Sequence, residues 1–168
     1  MRSRGFTLVE SIMVIVLTMI LATVALAGLR GTQTWRASAA VGRVQSDLLY
    51  ARSAALLAGR RTLCVVDTVQ NVYTLQQEAS PATGAIVGVV LDHPVTGTPW
   101  RVALGDLATG LTISFSPALN PTEIGFDATG MPINRAGTPL ANDIAMRLGS
   151  TGTVTLRAGS GLCEVSWP

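Results

Sequence analysis

The sequence predicts an α+β protein: one long N-terminal helix, membrane-spanning in its first half, packed on an antiparallel β-sandwich-like C-terminal domain. Three observations carry that prediction. Phe6 to Leu29 is an apolar run of 24 residues with a single formal charge, Glu10. Val41, Val44, Leu48, Ala51 and Ala55 then recur at spacings of three and four, the period of a helix with one buried face. From Arg61 onward, short segments rich in strand formers alternate with Gly, Pro, Asn and Asp, the punctuation of many short strands. The chain therefore divides into a short basic segment over 1–5, an apolar helix over 6–29, its amphipathic continuation over 30–58, and a β-rich domain over 59–168.

As a helix rising ~1.5 Å per residue, the apolar run is ~36 Å long and can cross a bilayer. Glu10 costs about 2.5–3.5 kcal/mol at such a depth. Two readings offset that cost. The carboxylate can snorkel to the headgroups near the helix start, or it can meet a positive charge at the same depth on a neighbouring chain. A cut after Gly5 would supply that charge, as the new α-amino group of Phe6. An ordinary secretory signal is cut after its apolar core, at small residues, a pattern met only loosely around Ala25-Leu26-Ala27. Arg2 and Arg4 hold the N-terminus on the cytoplasmic side by the positive-inside rule, so that the bulk of the chain is exported.

Gly28 and Gly31 flank the end of the apolar run, where glycine weakens a helix by about 0.5–1 kcal/mol each and a bend is expected. The helix resumes from about Trp35 to Ala58, with Arg36, Arg43 and Asp47 falling mainly off the apolar stripe, and Gly59 is a natural stop. Arg61–Val66 and Val72–Gln76, separated by a short polar turn, form a hairpin. Further strands are expected over 85–91, 100–104, 111–116, 123–127, 143–148, 153–156 and 162–166, with turns at Asn120-Pro121, Ala128-Thr129-Gly130 and Gly149 to Gly152. Many strands after one helix indicate a sandwich packed on the helix end.

Charge and composition exclude several function classes. The chain has no lysine, hence no P-loop lysine and no lysine Schiff base. His93 is the only histidine and sits in a loop-like Asp92-His93-Pro94. With two cysteines it makes no zinc set, and Asp127 with Gly130 reads as a β-turn lacking the carboxylates that calcium needs. No catalytic residue, metal site or cofactor site is assigned. Removing Arg2 and Arg4 leaves ten arginines against ten acids. Six of those arginines lie between Arg30 and Arg61 against Asp47 alone, and eight acids follow. A basic stem and an acidic globular part suit electrostatic register between neighbouring subunits, as well as an ordinary solvated helix face. Cys64 and Cys163, both on the exported side, form either a disulfide or two buried thiols. A bridge would close a loop of about 100 residues and stabilise by about 4–5 kcal/mol.

Gly5-Phe6-Thr7-Leu8-Val9-Glu10, after a basic leader and before an apolar helix, resembles the class III signal of type IV pilins and of the pseudopilins of type II secretion. The resemblance implies cleavage after Gly5 by a prepilin peptidase, N-methylation of Phe6, and a role for Glu10 in assembling a helical filament. Leu49 to Ala55 followed by Thr62-Leu63-Cys64, the stretch Ile124 to Gly130, and the final strands around Gly159-Ser160-Gly161 resemble the GspH/FimT group of minor pseudopilins. Residues 67–122 carry no such likeness. For function the resemblance implies a minor pseudopilin held in the bacterial inner membrane with its β-domain in the periplasm. Its partners would be other pseudopilins, the peptidase and the inner-membrane assembly platform. The alternative is a minor type IV pilin in pilus biogenesis or DNA uptake. Nucleic-acid binding is the weaker of these, because Gly161 to Pro168 contains an acid and no arginine.

Overall fold

The computed structural model describes residues 8–79, 85–118 and 122–168, and in the long helix the side chains of 26–32 lie outside that description. Helix α1 runs from Leu8 to Ala58. It passes Gly28 and Gly31 without interruption, so the expected loosening there is not seen in the helical assignment. By internal contacts the chain divides into two units, Met1–Trp35 and Arg36–Pro168.

In the first unit the window Leu8–Ala25 has a mean hydropathy of 2.4 and none of it is buried. Thr18 and Thr23 do not interrupt its apolar surface, because each hydroxyl donates to a carbonyl one turn back, Ile15 O at 2.9 Å and Ile20 O at 2.8 Å. This is the usual way a hydroxyl is satisfied inside a helix that has no water around it.

In the second unit the predicted stripe forms the core. Val41, Val44, Leu48, Ala51 and Ala55 are each 2% exposed or less. The helix ends in a Schellman arrangement: Gly59 adopts φ +61°, and Arg60 N–H reaches back to Ala55 O at 3.2 Å. Strand β1 (Thr62–Asp67) follows at once and pairs antiparallel with β2 (Val72–Glu78), confirming the hairpin.

The remaining strands are β3 (Gly88–Val90), β4 (Arg101–Ala103), β5 (Ile113–Ser116), β6 (Glu123–Phe126), β7 (Pro132–Ile133), β8 (Ile144–Leu148), β9 (Gly152–Leu156) and β10 (Cys163–Ser166). A four-residue helix α2 (Leu104–Leu107) follows β4. One antiparallel sheet runs β3-β2-β1-β6-β7, with β4 also pairing β2, and a second runs β10-β9-β8-β5. Buried residues of α1 and of both sheets share a single apolar cluster. Gly125 is required where β6 meets β1, since a Cβ there would lie 2.0 Å from Thr62 O.

Polar contacts fix α1 against the sheets at defined points. Thr62 Oγ1 donates to Ala51 O at 3.0 Å in the buried interior. Gln45 Nε2 donates to Cys163 O at 3.0 Å, and Arg52 donates to Ser160 O at 2.8 Å and Gly161 O at 3.2 Å. The turn between β9 and β10 is thus held by the helix. Gly161 has no room for a side chain there, since a Cβ would lie 2.7 Å from Gly130 O.

Candidate assembly site

The residues that the sequence singles out for assembly lie at the N-terminus. Gly5 and Phe6 fall outside the described residues. Glu10 lies in the first turn of α1 and is exposed. Around it Leu8, Val9, Ile12, Met13 and Val14 are all at least half exposed. Such a surface is unstable in water over this length and suited to lipid or to the apolar helices of other subunits.

Cys64 and Cys163 are free thiols in this structure, both buried, on β1 and β10, in the same apolar cluster. Burial pushes the Cys64 thiol up to about 12, with the negative charge of Asp47 and the proximity of Cys163 adding to it. Burial likewise pushes Cys163 up to about 11, against the opposing positive charge of Arg52. Neither thiol is an activated nucleophile at neutral pH.

Two arginines of the β-domain are engaged by acids. Arg61 pairs with the buried Glu78 of β2, and that pairing holds its guanidinium above its ordinary range. Arg157 bridges Asp143 at 2.7 Å and Glu164 at 2.7 Å. Asp127 is a turn former as expected: its Oδ1 accepts from Thr129 N–H at 2.8 Å, Thr129 Oγ1 at 2.7 Å and Met131 N–H at 2.9 Å. Partial burial opposes ionisation there, and these bonds outweigh it, so the carboxyl sits below its usual range.

Sequence reasoning missed one constellation. Asp47 is not off the stripe but buried, at 4% exposure. Its carboxylate accepts from Tyr73 Oη at 2.7 Å, Trp100 Nε1 at 3.2 Å and Arg43 Nε at 3.0 Å. The correction has a simple cause. Three donors from α1, β2 and the approach to β4 converge on one carboxylate, which satisfies a charge that the interior otherwise rejects. Burial and then the adjacent anion raise the Tyr73 phenol well above its ordinary range, so it remains a donor. His93, in its loop-like tripeptide, is half-buried and packs on Trp100 with ring centroids 4.5 Å apart. Trp100 in turn packs on Tyr50 at 4.4 Å. A one-turn spacing of Arg43 and Asp47 was the only trace of this in the sequence, and it reads equally as a surface pair.

With the geometry in place, comparison with known proteins is informative. Residues 1–26 match the prokaryotic N-terminal methylation motif. No curated protein matches the chain in sequence. The fold is similar to the minor pseudopilin EpsH from the type 2 secretion system of Vibrio cholerae, with a TM-score of 0.55 at 13% identity over 79% of this chain and 96% of that one. A crystal structure of the Vibrio cholerae minor pseudopilin EpsH likewise gives a TM-score of 0.55, at 14% identity, covering 79% of this chain and 94% of that one. The type IV minor pilin FimU of Pseudomonas aeruginosa aligns with a TM-score of 0.48 at 15% identity over 76% of this chain and 90% of that one. The chain thus joins an N-terminal methylation motif and an apolar helix to an antiparallel β-domain similar in fold to the pseudopilin EpsH.

Proposed function

We propose that this chain is a minor pseudopilin of a type II secretion system, assembling through α1 into the tip of a periplasmic pseudopilus that drives protein export. The observation that carries the reading is the N-terminal methylation motif over 1–26, which includes the exposed, apolar helical stretch Leu8–Ala25. The likeness of the β-domain to the EpsH fold supports it. In this reading the peptidase cuts after Gly5, the amine of Phe6 is methylated, and that amine meets Glu10 of a neighbouring subunit in a low-dielectric environment. An ion pair is strong in that environment, so the pairing of the Phe6 amine with Glu10 sets the axial register between subunits. The helix is held in the inner membrane with the β-domain in the periplasm, and the cytoplasmic motor and the inner-membrane platform supply the work. Export also places Cys64 and Cys163 where a bridge can form, supported by their sharing one buried cluster.

Substituting Glu10 with Ala tests the reading. Membrane insertion and N-terminal processing should persist while cross-linking to other pseudopilins is lost. Normal incorporation and secretion in that variant would contradict it.

A further inference from the structure

Above the buried Asp47 lies an open cleft of about 290 Å³, lined by Arg43, His93, Thr96, Thr98, Trp100 and Arg101 among others. Among the described residues, no carboxylate lines it. Asp92 precedes His93 but is not part of the wall, and Asp47 reaches only the inner side of Arg43.

The charge count sets the ligand class. Asp47 neutralises Arg43 from below, with Nε at 3.0 Å and 3.2 Å from its two oxygens. Arg101 has the neutral Gln70 Oε1 as a partner at 3.1 Å. The cleft therefore has about one net positive charge to offer, which suits a monoanion better than a phosphate dianion.

The hydrogen-bond count points to where that anion sits. Both ring nitrogens of His93 face donors: Val95 N–H lies 3.2 Å from Nδ1, and Arg43 Nη2 lies 3.2 Å from Nε2. A neutral imidazole has one N–H and one acceptor nitrogen, so only one of these contacts is a hydrogen bond. In the tautomer in which Nδ1 accepts from Val95, Nε2–H and Arg43 Nη2–H converge donor against donor, whereas in the other Arg43 donates to Nε2 and the misfit lies at Val95. In the first tautomer, an acceptor oxygen placed between Nε2–H and Arg43 Nη2–H satisfies both. Exchanging the ring's N and C positions leaves both donors facing carbon and solves nothing.

We propose that this cleft is a carboxylate-docking pocket, in which Arg43, His93 and Arg101 take an acidic side chain of a neighbouring pilin-like subunit. The choice of partner rests on the assembly reading above. It fits the distribution of charge in the chain, with six arginines from Arg30 to Arg61 against Asp47 and eight acids beyond. Asp47 is a positioning residue: it fixes Arg43 with its outer nitrogen toward the cleft while the Tyr73 and Trp100 donors hold the carboxylate.

His93 is the only histidine, so full-length protein in detergent micelles, labelled with 15N-histidine, gives the two ring-nitrogen signals of one imidazole, Nδ1 and Nε2. The probes are acetyl-Gly-Glu-Gly-amide, its Gln counterpart and inorganic phosphate. The Glu peptide should shift the Nε2 resonance saturably, with the ring in the Nε2–H tautomer, while the Gln peptide leaves it unmoved. Arg101→Gln, which alters only an exposed side chain, should weaken binding roughly two- to fivefold. Arg43→Gln should abolish binding, and Arg101→Gln keeps the test decisive if that variant fails to fold. No saturable shift, an equal shift with the Gln peptide, or an Nδ1–H ring in the complex would overturn the pocket. A response to phosphate and not to the Glu peptide would overturn the protein carboxylate as ligand. Peptide binding by a chain that never enters a filament would overturn the choice of partner and leave the pocket standing. Because binding is read on the isolated chain, its failure leaves the role of the N-terminus in assembly untouched.

Discussion

Between Leu8 and Ala25 the long helix is exposed on every side and, Glu10 and a few hydroxyls apart, apolar, whereas between Ala40 and Ala55 it buries one stripe and turns Arg43, Ser46 and Ser53 outward. The same backbone thus meets two different demands. Over 36–58 the chain supplies its own partner, two sheets whose inner residues join the stripe in one core. Over 8–25 nothing in the described chain covers the side chains, so the apolar surface has to be met by lipid or by other subunits. On the function proposed above, stability is set by the second stretch and assembly by the first, and substitutions should separate the two.

The largest effect on stability is expected from the cysteines. If exported protein is bridged, denaturation without reductant followed by alkylation yields no adducts, and reduction lowers unfolding free energy by about 4–5 kcal/mol. Two adducts in the unreduced protein would show two buried thiols instead. Next comes Asp47→Ala, which leaves Arg43, the Tyr73 hydroxyl and the Trp100 indole N–H without their common acceptor. It should cost about 3–5 kcal/mol in denaturant titrations of the β-domain transition.

A matched pair of leucines sharpens the contrast further. Leu48→Ala, at 2% exposure, should destabilise by about 2–4 kcal/mol. Leu17→Ala, at 54% exposure in the apolar stretch, should leave that transition unchanged. Equal losses would mean the two stretches are not energetically distinct.

The smallest effect is electrostatic. The folded Asp127 carboxyl is held below its usual range, so its contribution is present above the unfolded value and is lost as pH falls through the folded one. Replacing Asp127 with Asn should cost about 1 kcal/mol or less near neutrality and flatten the acid limb of the stability curve. An unchanged acid limb would remove this residue from the account.

What was legible in the sequence follows the same division. Strong periodicity made the stripe from Val41 to Ala55 readable, and Gly59 marked its end because only a residue tolerant of φ +61° closes the helix there. The hairpin of β1 and β2 and most later strands were visible as β-branched runs between turn residues. The pair Pro132–Ile133 was not, since two residues have no period, and neither was the single turn of Leu104–Leu107. Asp47 was misread because its burial depends on Tyr73 and Trp100, 26 and 53 residues away. Local pattern carries no information about partners that distant. The same reason hid His93, whose neighbours Arg43 and Trp100 meet only in the folded domain. The N-terminal segment was the most legible part, because its signal is local and does not depend on folding.

The central claim is that the apolar helix is kept for assembly after the leader is removed at Gly5. Intact mass and N-terminal sequencing of the protein from membranes of cells with and without prepilin peptidase test it most directly. The account predicts a chain beginning at methylated Phe6, found only when the peptidase is present. A chain that still carries Met1 in both, or one cut beyond the apolar run, would contradict it.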